Sequence, residues 1–169
     1  LGRGGFYDTT PLKNYLIARF DPKALADSGV KLRLGAVSLK TGELQFGTEK
    51  SKDPIAWTMG SAAFPVAFPP VQIDDDKYLD GGIREVTPIK MAIEMGAIDL
   101  DIVMADPQEV PPGDWDLSKA GNVFHVGLRV LSLLAGEVAR SDQDVLATYK
   151  GKYKIYAPLA PWDIDALQF

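Results

Sequence analysis

The chain has 169 residues, enough for one compact core, and its 46% hydrophobic and 24% charged content is ordinary for a globular protein in water. A formal net charge of −5, from 23 acidic and 18 basic side chains, offers phosphates no broad attraction and argues against nucleic acid as a partner. The absence of cysteine excludes a disulfide framework and a thiolate zinc site, so packing alone must hold the fold.

The chain opens on Leu1 and the run Gly2-Arg3-Gly4-Gly5, without an apolar stretch of the kind a secretory signal needs, and reads as a fragment or a processed product. Thr10-Pro11 supplies an N-cap and first-turn pair, and Leu12, Tyr15, Leu16 and Phe20 continue at helical spacing until Asp21-Pro22 interrupts. Asp21-Pro22 then caps a second short helix, ended by Ser28-Gly29. Leu32, Leu34, Ala36 and Val37 lead to Thr41-Gly42, and Leu44, Phe46 and Thr48 alternate beyond it, which predicts a β-hairpin.

Asp53-Pro54 opens a third helix carrying Ile55, Ala56, Trp57 and Met59. Prolines 65, 69 and 70 forbid a regular element from Phe64 to Pro70, so a fixed apolar loop is expected there. Val71 and Ile73 lead to an acidic tip, Asp74-Asp75-Asp76-Lys77, and Tyr78-Leu79 return as a short strand that ends at Asp80-Gly81-Gly82. Consecutive carboxylates at such a tip point to alternate faces and lack the spacing of a calcium loop, so they read as a solvated turn and no metal is expected.

Thr87-Pro88 predicts a helix from Ile89 to Met95 closed by Gly96, and the apolar run Leu100 to Ala105 predicts a buried, parallel strand. Asp106 to Gly121, with three prolines and two glycines, reads as a surface connection. Asn122 caps a long helix in which His125, Arg129, Ser132, Gly136 and Arg140 share a narrow stripe, and the rest is apolar enough to expect burial. Within it, the stretch from Val123 to Ala139 is broken by polar residues and falls short of a membrane span, so any membrane contact is peripheral and the location cytoplasmic or at a membrane surface. A further helical turn to Tyr149, a strand over Tyr153 to Ala157 and an aromatic, Pro-rich tail complete the chain. Alternating strands and helices favour an α/β sandwich in a single domain.

Asp-Gly-Gly alone is common turn chemistry. Its setting is more specific: in DPIAWTMGSAAFPVAFPPVQIDDDKYLDGGIREVTPI a helix end with Ser61-Ala62-Ala63 and a Pro-rich turn precede it, and a proline-capped helix follows. That arrangement resembles the second half of a patatin-like phospholipase domain. The resemblance covers Tyr7 to about Ala105 clearly and the rest more loosely, and implies a partial three-layer α/β/α sandwich, residues 1–169 being the C-terminal part of one such domain. It implies a Ser/Asp catalytic dyad with Asp80 as the aspartate, Gly81 and Gly82 supporting it, and a lipid or other acyl ester as substrate, without a cofactor. The dyad serine belongs in a G-x-S-x-G elbow, and none of the seven serines here sits in one, Ser61 included, since Ala63 stands where the second glycine belongs. The nucleophile is therefore expected from a missing N-terminal segment, and the fragment alone is expected to be inactive.

Where the family often carries asparagine, two positions before the helix-capping proline, this chain has Val86. Asp80 suits the role physically: a serine hydroxyl needs a positioned base, and an aspartate of ordinary pKa, about 3.9, becomes a stronger one where burial raises that value. Phe64, Phe68 and Val71 are expected to wall the apolar substrate cleft. His125, the only histidine, has no part in a Ser/Asp dyad and reads as a partly solvated surface residue. A second class of function is a non-catalytic module that uses the fold's back half for protein association, its exposed apolar faces covered by a partner.

Overall fold

The computed structural model describes residues 4–104 and 117–158. The chain divides into two compact units, Leu1–Val86 and Thr87–Phe169, each with its own sheet. Helices and strands alternate through both, an α/β architecture.

In the first unit α1 (Thr10–Arg19) begins with Pro11 in its first turn, and its cap residue is Thr9, one residue earlier than the sequence suggests. Neither threonine hydroxyl caps it; Asp8 Oδ1 accepts the Thr10 N–H at 2.9 Å instead. Helices α2 (Pro22–Asp27) and α3 (Pro54–Ser61) both start on an Asp-Pro pair. The Asp21 carboxylate accepts from the Lys23 and Ala24 amides, and Asp53 from the Ala56 amide, while proline fills a position whose N–H would have no helical partner.

Strands β1 (Arg33–Ser38) and β2 (Leu44–Thr48) form the expected hairpin, with Gly42 at φ 74°, where a side chain would be strained. With β3 (Val71–Ile73) and β4 (Asp76–Asp80) they make a four-stranded antiparallel sheet in the order β2-β1-β4-β3. Helix α3 packs on it: Ala36, Ala56, Ile73 and Tyr78 are buried together, with Trp57 and Val71 against them. The Trp57 and Tyr78 rings lie 5.2 Å apart, and the Tyr78 hydroxyl donates to Gln45 Oε1 at 2.7 Å, which satisfies the polar end of an otherwise buried ring.

The second unit contains α4 (Ile89–Glu94), β5 (Asp99–Val103), a 3-10 turn at Leu117–Gly121, α5 (Val123–Asp144) and β6 (Lys152–Tyr156). Gly96, at φ 90°, ends the α4 turn. β5 and β6 pair in parallel, Leu100 with Tyr153 and Ile102 with Ile155. Leu100 and Ile102 join Ile89, Met104 and Leu146 in a core, whereas the alternate residues Asp99, Asp101 and Val103 are exposed, so β5 is covered on one face rather than two.

The long helix departs from its expectation. Asn122 Oδ1 does accept the Phe124 amide as a cap, but only Ala139 of α5 is buried, and Val123, Val130, Leu133 and Leu134 are exposed. Apolar composition established that the helix has an apolar surface; it could not establish that the described residues cover it. The Pro-rich connection expected from Asp106 lies outside the described residues apart from its last turn, as do Trp115, Trp162 and the C-terminal tail. Among the described residues no helix is long and apolar enough to cross a membrane.

Candidate active site

Asp80 is the last residue of β4, opposite Ala36 of β1, and its amide donates to the Ala63 carbonyl at 3.0 Å, just past the end of α3. Strand and helix end thus hold its backbone from two sides. Its Oδ1 accepts the Gly82 N–H at 2.8 Å, an Asx-type closure that starts the 3-10 turn Gly81–Ile83. Among the described residues Oδ2 makes no hydrogen bond. Burial pushes the Asp80 carboxyl above its ordinary value, and the Gly82 hydrogen bond pulls the opposite way more weakly.

The two glycines act differently. Gly81 is buried on the backbone of β1: a Cβ there would lie 2.5 Å from the Gly35 carbonyl oxygen, so any side chain would lift the turn off the strand. At Gly82 a Cβ would meet Asp80 Oδ1 at 3.1 Å and press on the carboxylate itself. Their main use here is close approach of main chain to main chain, since neither has a positive φ.

Phe64 and Phe68 are half-buried in the loop that follows Ala63, and their backbones close a turn through the Phe68 N–H and the Phe64 carbonyl. Phe68 also packs against the Tyr7 ring, with centroids 5.9 Å apart. Val71 packs against the sheet core. Within the loop, Val66 has φ 73°, a conformation that costs a β-branched residue about 1–3 kcal/mol. A cavity of about 520 Å³ opens in the second unit among Ile93, Ala97, Ile98, Val145 and Tyr149, and Phe64, Phe68 and Val71 do not line it.

The acidic tip is less uniform than its sequence suggests. Asp74, at φ 51°, and Asp75 form the turn, and Asp75 pairs with Lys40 in the open at 3.1 Å. Asp76 is already in β4, where it accepts from the fully buried Ser38 hydroxyl and from the Lys77 amide. Ser38 Oγ also accepts the Thr41 N–H, so this serine–carboxylate pair fastens the β1–β2 turn to β4. Ser38 itself has zero exposure, whereas Asp76 is partly exposed. The signal that could have found it was a serine at the end of a strand in a tight Gly turn.

Ser61 is the last residue of α3. His125 is half-buried on α5, its ring tilted against Phe124, and its Nδ1 is buried with no hydrogen-bond partner among the described residues. The side chain is thus partly solvated, with Nδ1 on its buried side. No three His, Asp or Glu side chains among the described residues gather as metal ligands would.

A family model described as patatin-like phospholipase matches residues 1–93, more than half of the chain. This chain belongs to the patatin-like phospholipase family. The match spans the whole first unit, with Asp80, Gly81 and Gly82, and reaches into α4. No curated protein matches the chain. Membership in the patatin-like family carries a general expectation of esterase or phospholipase chemistry, and the α/β architecture agrees with it.

Proposed function

We propose that this chain carries the aspartate of a Ser/Asp dyad in a patatin-like lipid acyl hydrolase, with the serine in a G-x-S-x-G segment outside these 169 residues. The observation that supports it best is the half-buried Asp80 carboxylate, anchored through Oδ1 and with Oδ2 left to accept a proton. Oδ2 takes the serine hydroxyl proton as Oγ bonds to the ester carbonyl carbon, and negative charge moves to the carbonyl oxygen. Collapse of that tetrahedral centre breaks the ester bond, and the leaving alcohol collects the proton from Asp80. Asp80 then takes a proton from water, whose oxygen bonds to the acyl carbon, and the acid is released as serine is re-protonated. A raised carboxyl pKa favours the first and third of these transfers. The substrates are phospholipids, lysophospholipids or neutral acyl esters met at a membrane surface.

Fluorophosphonate labelling of the native protein, followed by mass spectrometry, tests the reading. A labelled G-x-S-x-G peptide outside this chain, together with loss of ester hydrolysis in Asp80→Asn, is the expected result. Full hydrolysis by Asp80→Asn would remove Asp80 from the mechanism. A second reading, a non-catalytic module for protein association, is favoured by the exposed Val130, Leu133 and Leu134 on α5. An unlabelled, folded protein with no upstream serine elbow would leave that reading standing.

A further inference from the structure

The N-terminal residues ahead of α1 lie along the Pro-rich loop. The Phe6 N–H donates to the Val66 carbonyl at 3.2 Å and the Tyr7 N–H to the Ala67 carbonyl at 2.9 Å. The fit is close: a Cβ on Gly5 would collide with the Phe68 carbonyl carbon and the Pro69 nitrogen, and one on Gly4 would sit 2.9 Å from Pro70 Cδ. The Tyr7 ring packs on Phe68. The first of these hydrogen bonds ends on the one β-branched residue that the backbone places in the left-handed region among the described residues, Val66 at φ 73°. Three residues before it, the Ala63 carbonyl accepts the Asp80 amide.

We propose that residues 4–7 are a positioning strap: they hold Val66 in its left-handed conformation, and through the loop they fix the Ala63 carbonyl that anchors Asp80. A valine does not keep a positive φ unless its surroundings over-determine it, and the strap supplies two backbone hydrogen bonds and a ring contact to that loop. Gly5 is then glycine because the strap must lie against main chain, not because its own φ demands it. Released, the loop relaxes toward ordinary backbone angles, the Ala63 carbonyl shifts, and the β4 end that carries the carboxylate frays. The proposal deepens the assignment of Asp80 as the dyad base and rests on it for its importance, but the test below reads position rather than catalysis. Its failure would leave Asp80 available as base, and failure of the dyad would leave the strap result readable.

The experiment is amide hydrogen exchange on the full chain at Asp80 and, as a reference inside the sheet, at Val37. Gly5→Ala is expected to raise exchange at Asp80 by about tenfold or more while Val37 stays protected. Val66→Gly removes the strain at its source, since glycine adopts φ 73° without penalty, and should leave Asp80 as protected as in the parent. In the double variant the effect of Gly5→Ala should shrink to about threefold or less. Unchanged exchange at Asp80 in Gly5→Ala overturns the strap. So does an undiminished effect in the double variant, which would mean that strap and strained residue are independent. Loss of protection at both Asp80 and Val37 also overturns it, because residues 4–7 would then hold the whole sheet and not this loop.

Discussion

The two units solve the burial of their sheets differently. The first builds four antiparallel strands from hairpins and short returns, and lays α3 across them so that Ala36 is wholly buried. Two of its pairings, β1 with β2 and β3 with β4, are local hairpins of little loop-closure cost, and the third, β1 with β4, joins them across the fold. Among its described residues the second has two strands, parallel and joined through α5, with alternate residues of β5 and much of α5 exposed. Parallel strands are ordinarily covered on both faces. The first unit therefore packs a helix directly on the sheet that ends at Asp80, whereas the long helix of the second buries only Ala139; exposed apolar side chains occur in both, Phe6, Ile17 and Val30 among them in the first.

On the proposed dyad, a change at Asp80 should have the largest effect. In the native protein Asp80→Asn should lower the rate of ester hydrolysis by about 10²–10⁴-fold, the range for loss of a general base, with little change in substrate affinity. The same base sets an acid limb: hydrolysis should fall as pH drops through the Asp80 pKa, at a pH above the ordinary carboxylate value because burial raises it. For stability the sign is reversed. A carboxyl raised on folding adds stability that is complete below its unfolded value, near pH 4, and is lost as pH rises through the folded value. Asp80→Asn should consequently unfold at the same or slightly higher temperature than the parent at pH 7, with a difference within about 1 kcal/mol, as thermal melts would report. A marked drop would mean that the charged carboxylate stabilises the turn.

Next come the contacts that fasten the first unit's sheet and turns. Gly81→Ala forces a methyl group onto the Gly35 carbonyl and should cost about 1–3 kcal/mol in urea unfolding. Ser38→Ala strands the Asp76 carboxylate and the Thr41 amide, at about 1–3 kcal/mol, yet should leave the chemistry of Asp80 untouched. A large loss of hydrolysis with normal stability would reopen Ser38 as a participant. The smallest effect is expected on the open unit: Leu134→Gln, on the exposed face of α5, should move stability by no more than about 0.5 kcal/mol. A loss of several times that amount would show the face to be covered in solution, and would erase the contrast between the units.

The first unit was the more legible of the two because its signals are local. Asp-Pro pairs predicted two helix starts, Thr41-Gly42 predicted the hairpin, and the prolines after Phe64 predicted an irregular loop; each rests on the chemistry of two or three adjacent residues. Asp80 ends a strand before paired glycines as its sequence setting indicated, and close approach of a partner strand was readable from the glycines; which strand meets Gly81 was not, since Gly35 lies far away in sequence. Ser38 escaped for the same cause: its partner Asp76 is joined to it only by the fold. In the second unit the caps and periodicities of α4, α5 and β6 were readable, but burial was not, because a period tells which residues share a face and not whether anything meets that face. The pairing of residues 4–7 with the Pro-rich loop left no pattern in the sequence beyond two small residues.

The seat of Gly81 on the β1 backbone has a practical side. Because the carboxylate's position is referenced to main-chain atoms of Gly35 and Ala63, and not to the shape of neighbouring side chains, the residues around it are exchangeable in a way the glycine is not. Leu79, before the turn, is partly exposed and Ile83, its last residue, is exposed, and both can be varied without touching the main-chain atoms that align Asp80. Variants there read out whether main chain alone sets the position of the Asp80 carboxylate.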